Sequence, residues 1–150
     1  MTQAIAIDFD GVIHKYSKGW HDGTCYDDEV RGVFEAIEKL MGKYSVFILS
    51  TRSPRQIKKW LKEHCYESDY VYYGMGDDPD NFRWPKFNFT IEIIPFWVKF
   101  WNKKKVLGIT QRKLPAMVYV DDRAMRFNGD WNDILSGMPE FKTYQEAAIE

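Results

Sequence analysis

Residues 4–11 read Ala4-Ile5-Ala6-Ile7-Asp8-Phe9-Asp10-Gly11, four apolar residues that run directly into two carboxylates and a glycine. An apolar run without polar alternation predicts a strand buried on both faces, as parallel sheets require. A second apolar run, from Met117 to Val120, ends in the acid pair Asp121-Asp122. Either pair alone could merely cap a turn. Together they are expected to converge at the carboxyl edge of one sheet, where clustered carboxylates need a shared cation or proton.

Length and composition limit the class of protein. The chain has 150 residues, of which 45% are hydrophobic and 29% charged, and it has no long apolar run. This predicts one soluble globular domain over residues 1–150. No basic segment leads into an apolar stretch at the N-terminus, so we expect no secretory signal, no membrane anchor and a cytoplasmic location. Cys25 and Cys65 lack CxxC spacing, which favours reduced thiols over a zinc site or a disulfide framework.

Strands and helices alternate over the first half of the sequence. This order predicts an α/β fold with a doubly wound parallel sheet covered by helices on both faces. A polar and aromatic segment between the first strand and the first helix is expected to form a loop or flap. The predicted elements are strand 3–8, flap 14–27, helix 28–41, strand 45–49, helix 54–65 and strand 69–73.

Residues 74–105 break the alternation and are interpreted as an insertion. A turn-rich loop at 74–81 precedes residues 87–93, whose strict polar alternation predicts a strand. Pro95 is expected to open a short aromatic helix to about Asn102. Aromatic side chains in this block favour core packing or a homo-oligomer interface over base stacking, and a lid role is left open. They are Phe82, Trp84, Phe87, Phe89, Phe96, Trp97, Phe100 and Trp101.

The last third returns to short strands and helices. Residues 106–110 and 117–121 are predicted strands, and 131–136 a helix with Asp130 as N-cap and Gly137 as terminator. Thr143 and Glu146 have the spacing of a capping box for a final helix. From Ile93 to Val120 the sequence has basic but no acidic residues, although the net charge of the chain is −1. That asymmetry favours an anionic partner.

The predicted strand ends bring together the groups needed for phosphoryl transfer. A carboxylate can attack phosphorus when Mg²⁺ and positive groups neutralise the phosphoryl oxygens, and the aspartyl-phosphate that results is then cleaved by water. Asp8 is placed for the attack. Gly11 lets the backbone turn after Asp10, so that this second acid could face the leaving group as general acid and base.

Three segments resemble, in order, the four motifs of the haloacid dehalogenase (HAD) superfamily of phosphatases, and most of all its small capless members from phages and bacteria. They are Ile7-Asp8-Phe9-Asp10-Gly11-Val12-Ile13, Phe47-Ile48-Leu49-Ser50-Thr51-Arg52 and Lys113-Leu114-Pro115-Ala116-Met117-Val118-Tyr119-Val120-Asp121-Asp122-Arg123. The similarity covers nearly the whole chain except residues 74–105. It implies a HAD-like Rossmannoid fold without a large cap domain.

The resemblance also implies roles for individual residues. Asp8 would be the nucleophile, Asp10 the acid/base whose main-chain carbonyl also binds Mg²⁺, and Ser50 the phosphoryl-binding hydroxyl. Asp122 would bind the metal with support from Asp121. Lys113 matches the lysine that neutralises nucleophile and phosphoryl group, and Lys86 is the alternative. Thr51 could replace Ser50, and Arg52 and Arg123 could grip a substrate phosphate or form structural ion pairs. The predicted substrate-binding residues are Gly11, Thr51, Arg52 and Arg123.

Without a large cap the site would be open. The substrate would then be a phosphorylated small molecule, a nucleotide or a 3′-phosphorylated nucleic-acid end. His14, His21 and His64 share no metal-ligand spacing and are interpreted as flap or surface residues, of which only His14 could face substrate. A signalling receiver domain is disfavoured because it places adjacent acids first and a single acid later. A catalytically weak HAD-fold binding or regulatory module remains the alternative.

Overall fold

The computed structural model describes residues 3–68 and 83–149. These residues group into two compact units, Met1–Val120 and Asp121–Glu150. The assignment of residues 1–150 to a single domain stays a prediction. Within the described ranges, no helix combines the length and the apolar character needed to cross a membrane.

The first unit is built on an open sheet of five parallel strands. Its strands are β1 Ala4–Ile7, β2 Ser45–Leu49, β5 Thr90–Ile93, β6 Val106–Thr110 and β7 Val118–Val120, in the order β5-β6-β2-β1-β7. The short strands β3 Tyr66–Ser68 and β4 Arg83–Pro85 form a separate antiparallel pair. The described residues of this unit also form two helices, α1 Val33–Leu40 and α2 Pro54–Cys65. The α/β class and the parallel sheet are thus confirmed.

The two faces of the sheet are covered differently. On one face, Ile5 and Ile48 pack with Phe34 of α1 and Leu61 of α2. On the other face, Phe47 packs with buried side chains from 94–114, chief among them Trp101 and Leu114. The two described helices of the first unit therefore pack on the same face, and a non-helical segment packs on the other. The doubly wound arrangement, with helices on both faces, stays a prediction.

The first helix is shorter than predicted. It begins at Val33 rather than at Asp28, because residues 28–30 pair with the segment after β1 instead. Lys15 donates its main-chain N–H to Asp28 O at 2.9 Å, and Val30 donates to Ile13 O at 2.7 Å. Gly32, at φ 80°, makes the left-handed turn into the helix. The sequence pattern could not show this competing backbone pairing.

The interpretation of residues 74–105 as an insertion is wrong for its second half. β5 is an edge strand of the main sheet and pairs in parallel with β6, with Ile91 opposite Leu107. The aromatic helix predicted from Pro95 to Asn102 is also wrong. Val98 donates to Pro95 O at 3.1 Å in a single turn, and the segment then brings Trp101 into the core. The predicted strand 69–73, the loop 74–81, Phe82 and the side chain of Trp84 lie outside the described residues.

The remaining aromatics of this block divide into two groups. Phe89 and Trp101 are buried, and the half-buried Phe87 stacks on Phe89 with a centroid separation of 5.9 Å. Phe96 and Trp97 are 81% and 67% exposed, and Phe100 is half-buried. Core packing is thus confirmed for the buried group. A homo-oligomer through the exposed pair stays a prediction.

The second unit contains the helices α3 Trp131–Gly137 and α4 Tyr144–Ala148, separated by a 3₁₀ turn at Met138–Glu140. The Asp130 side chain accepts a hydrogen bond from Asn132 N at 2.9 Å, which confirms the predicted N-cap. Thr143 Oγ1 accepts from Glu146 N at 3.2 Å, which confirms the Thr143 half of the predicted capping box. A mainly apolar cavity of about 350 Å³ is walled by Phe127, Trp131 and neighbouring side chains.

Candidate functional site

The two acid-bearing strands are neighbours. β1 and β7 pair in parallel with Ile7 opposite Val120, and Asp8 donates its main-chain N–H to Val120 O at 2.9 Å. The strands therefore end side by side at the carboxyl edge of the sheet. Asp8 is the first residue after β1 in the sequence, and Asp121 is the first residue after β7. Ser50 follows β2 at the same edge, because β2 pairs in parallel with β1.

Asp8 is half-buried at this edge. Its Oδ1 accepts a hydrogen bond from Phe9 N at 2.8 Å. This bond to its own following peptide fixes the carboxylate close to the main chain. Asp10, the second predicted acid, follows Phe9. Gly11 comes next at φ 86°, the left-handed conformation that the expected turn requires.

Asp10 is held through both carboxylate oxygens. His14 Nδ1 lies 2.9 Å from Oδ1. Arg52 places Nε 3.1 Å and Nη2 3.0 Å from Oδ2. The Asp10 side chain keeps 18% of its surface exposed, whereas the side chains of His14 and Arg52 are almost fully buried. The carboxylate thus faces outward from two buried donors.

Arg52 also anchors the segment 14–27. Its Nη1 donates to Gly23 O at 2.8 Å, and its guanidinium lies 4.6 Å from the centroid of the Trp20 ring. Gln56 Nε2 donates to the same carbonyl at 3.1 Å. Arg52 therefore forms an ion pair with Asp10 and holds the segment 14–27 through the Gly23 carbonyl. A contact of Arg52 with substrate phosphate stays a prediction.

Ser50 and Thr51 differ in accessibility. Ser50 is buried, its main-chain N–H donates to Thr110 O at 3.1 Å, and its Oγ accepts from Arg52 N at 3.1 Å. Thr51 is exposed. Ser50 is therefore held at the strand end by one bond of its main chain and one of its hydroxyl oxygen. Its role as a phosphoryl-binding hydroxyl stays a prediction.

The two lysines considered for the phosphoryl site lie in different places. Lys113 is exposed, and its ammonium lies 5.0 Å from the centroid of the Tyr119 ring on β7. Lys86 donates its main-chain N–H to Cys65 O, at the C-terminal end of α2. Ser50 precedes the N-terminal end of that helix, and twelve helical residues span about 18 Å. Lys86 is thus about one helix length from the carboxyl edge of the sheet.

In the second unit, Asp121 is exposed and its Oδ1 accepts from Arg123 N at 2.8 Å. Asp122 is half-buried, and its Oδ1 is buried without a hydrogen-bond partner among the described residues. Burial raises the pKa of Asp122 above its usual value, and the neighbouring Asp121 carboxylate acts in the same direction. An unpartnered carboxylate oxygen of this kind is what a hard cation would satisfy.

The part of the chain that the structure describes contains acidic groups that could hold a metal ion. One of them was not foreseen from the sequence: Asp28, Glu29 and His64 each offer a ligand atom, and these atoms lie within 4.8 Å of one another. His64 Nδ1 is 2.7 Å from Glu29 Oε2, and its ring stacks on Trp60. Burial raises the pKa of Glu29, but a backbone hydrogen bond and the bond to His64 outweigh burial and lower it.

The histidines were the weakest part of the sequence interpretation. His21 is exposed, as predicted. His14 is fully buried, so it is not a surface residue, although it is the first residue of the segment predicted as a flap. Its position four residues after Asp10, across the Gly11 turn, was the only signal of its role. Of the rings that enclose it, Phe9 is near in the sequence, but Tyr26 and Trp60 are not.

Comparison with known proteins gives no further assignment. No protein-family model, no curated protein and no solved structure matches the chain.

Proposed function

We propose that the protein is a Mg²⁺-dependent phosphomonoester hydrolase of the HAD superfamily, with the doubly wound fold of that superfamily and an aspartyl-phosphate intermediate. One observation carries the proposal: β1 and β7 end side by side, joined by the 2.9 Å bond from Asp8 N to Val120 O. The Asp-Phe-Asp-Gly and Asp-Asp-Arg segments therefore leave the sheet from neighbouring strand ends. Carboxyl edges of open parallel sheets are where such folds bind ligands.

The metal would be held by Asp8, by the main-chain carbonyl of Asp10 and by Asp122, with Asp121 in support. The buried, unpartnered Oδ1 of Asp122 fits this role, since a carboxylate oxygen without a donor suits an oxygen-seeking cation. Bound Mg²⁺ would supply charge neutralisation at the phosphoryl oxygens and at the acids around them.

The chain's own residues carry the two steps. An Asp8 oxygen attacks phosphorus while the bond to the leaving oxygen breaks, and Asp10 gives its proton to that oxygen. Water then attacks the phosphorus of the aspartyl-phosphate, Asp10 takes the proton from this water, and Asp8 is released with inorganic phosphate. Asp10 Oδ2 faces two nitrogens of Arg52, whereas Oδ1 keeps a second lone pair beside the bond from His14, so Oδ1 can still exchange a proton.

Ser50 would hold a phosphoryl oxygen through its hydroxyl proton, because its Oγ already accepts from Arg52 N. Lys113 is favoured over Lys86 as the neutralising lysine, since Lys86 lies at the far end of α2. Thr51, Gly11 and Arg123 complete the proposed contacts with substrate. The substrate class is a phosphorylated small molecule, a nucleotide or a nucleic-acid end, and we expect the enzyme to act in the cytoplasm.

The test is a phosphatase screen with a generic aryl phosphate, nucleotides and a 3′-phosphorylated oligonucleotide, each with and without Mg²⁺. The native chain is compared with Asp8→Asn and with Glu35→Gln, an exposed acid on α1 that serves as the control. We expect metal-dependent turnover that Asp8→Asn lowers by on the order of 10³-fold or more, since the nucleophile is lost. Glu35→Gln should keep native rates. Activity retained by Asp8→Asn would reject the covalent mechanism.

A module that binds phosphate without turning it over is the second candidate. It is favoured by the engagement of both Asp10 oxygens with buried donors, an arrangement that also suits a structural acid. Calorimetry with inorganic phosphate and Mg²⁺ separates the two. Phosphate binding without hydrolysis of any substrate in the screen would support the binding module.

A further inference from the structure

His14 is a polar side chain enclosed by aromatic rings. It is fully buried, and its ring stacks on Phe9 with centroids 5.4 Å apart. Tyr26 and Trp60 approach it edge-on, at 5.3 and 5.6 Å. A side chain that only filled this space could be another phenyl ring. A buried imidazole instead requires that its two nitrogens find hydrogen-bond partners.

The partners of His14 determine where its proton lies. Nε2 is 3.0 Å from the main-chain N–H of Asp27, which can only donate. Nε2 is therefore the acceptor and carries no proton. In the neutral ring the proton then belongs to Nδ1, which lies 2.9 Å from Asp10 Oδ1 and donates to it.

Two hydrogen bonds thus run in the same direction. The Asp27 N–H donates to the His14 ring, and the ring donates to the Asp10 carboxylate. The short loop between the two side chains adds rigidity, because Gly11 N donates to His14 O at 2.8 Å. Arg52 fixes the other Asp10 oxygen. The carboxylate consequently has little freedom to rotate away from the carboxyl edge of the sheet.

We infer that His14 is a positioning residue for the general acid/base Asp10, an inference that rests on the proposed function. When Asp10 gives its proton to the leaving oxygen, the carboxylate that forms keeps the hydrogen bond from His14 Nδ1. His14 retains its own proton throughout, so it orients and stabilises the carboxylate without exchanging protons with substrate. Its loss should therefore impair the proton-transfer step and leave substrate binding unchanged.

The experiment compares His14→Leu, which removes the donor, with His14→Asn, whose amide nitrogen can occupy the place of Nδ1. His21→Asn, an exposed histidine of the same loop, is the control. Each is assayed for kcat/KM on two monoesters, an alkyl phosphate with a poor leaving group and an aryl phosphate with a good one. A good leaving group needs less help from a general acid.

We expect His14→Leu to lower kcat/KM on the alkyl ester by on the order of 10² and on the aryl ester by a clearly smaller factor. His14→Asn should restore most of the alkyl-ester rate, KM should stay within about twofold, and His21→Asn should behave like the native chain. A merely structural His14 would lower both esters equally, without rescue by Asn, and that result would overturn the inference while the proposed function stands. A native chain without metal-dependent activity would overturn both.

If His14→Leu does not fold, ¹⁵N spectra of the native imidazoles decide. A His14 ring protonated at Nδ1, with its resonance shifted by Asp10→Asn, supports the inference. A ring protonated at Nε2 would overturn it, because such a ring cannot donate to Asp10.

Discussion

Arg52 connects the acidic strand end to the segment that folds over it. Its buried guanidinium contacts Asp10 Oδ2, the carbonyl of Gly23 and the ring of Trp20. A buried arginine is costly unless all its contacts are present, so each of these groups depends on the others. The Arg52 side chain thereby fixes the positions of both the Asp10 carboxylate and the loop 14–27.

We predict that Arg52→Met destabilises the protein by about 3 kcal/mol, because it leaves the Asp10 carboxylate with one buried donor and the Gly23 carbonyl with only the bond from Gln56. Arg55→Met is the matched control, since Arg55 lies three residues later, in the first turn of α2, and is exposed. It should change the free energy of unfolding by less than about 0.5 kcal/mol. Urea unfolding followed by tryptophan fluorescence measures both. Equal midpoints for the two variants would contradict a stabilising role for Arg52.

At the scale of single residues, the sequence predicted what lies close in the chain. Asp8 and Ser50 follow apolar runs, and the rule that parallel strands share a carboxyl edge is enough to place them. The burial of His14 was not predicted, because the rings around it belong to three separate segments. They are Phe9, Tyr26 and Trp60. The pairing of His64 with Glu29 joins residues 35 apart and was missed for the same reason.

At the scale of elements, β5 shows what a pattern can and cannot predict. Strict alternation predicted a strand in residues 87–93, and one is present at Thr90–Ile93. Alternation carries no information about which strand β5 pairs with, so the position of β5 at the edge of the main sheet was not foreseen. Pro95 predicts the start of a helix. The segment instead makes one turn and then places Trp101 in the core against Gly108, and this burial outweighs local helix preference.

The two tryptophans of this segment give a matched test. Trp101 is 1% exposed and donates from Nε1 to Val106 O at 3.3 Å, whereas Trp97 is 67% exposed. We predict that Trp101→Ala lowers the free energy of unfolding by about 3–5 kcal/mol, because it leaves a large cavity beside β6. Trp97→Ala should cost less than about 0.5 kcal/mol. Thermal and urea unfolding compare them, and similar losses would show that residues 94–101 are not part of the core.

At the scale of the whole molecule, the two cysteines differ in how deeply they are buried in the first unit. Cys65 is 1% exposed at the end of α2, and burial raises the pKa of its thiol from 9.0 to about 12. Cys25 is half-buried in the loop anchored by Arg52, and burial also raises its pKa. Because the thiolate is the reactive form, a pKa of about 12 leaves on the order of one Cys65 in 10⁴ reactive at pH 8.

We therefore predict that iodoacetamide at pH 8 alkylates Cys25 in the native protein and Cys65 only as the protein unfolds in urea. Peptide mass spectrometry after timed pulses measures both sites, and Cys25→Ser provides the control in which Cys65 alone is followed. The folded thiol binds its proton more tightly than the unfolded one, so stability should fall as the pH rises from about 9 towards 12. The Cys65→Ala variant should lose that part of the pH dependence. If Cys65 reacts in native buffer as fast as Cys25, then α2 does not close the core at its C-terminal end.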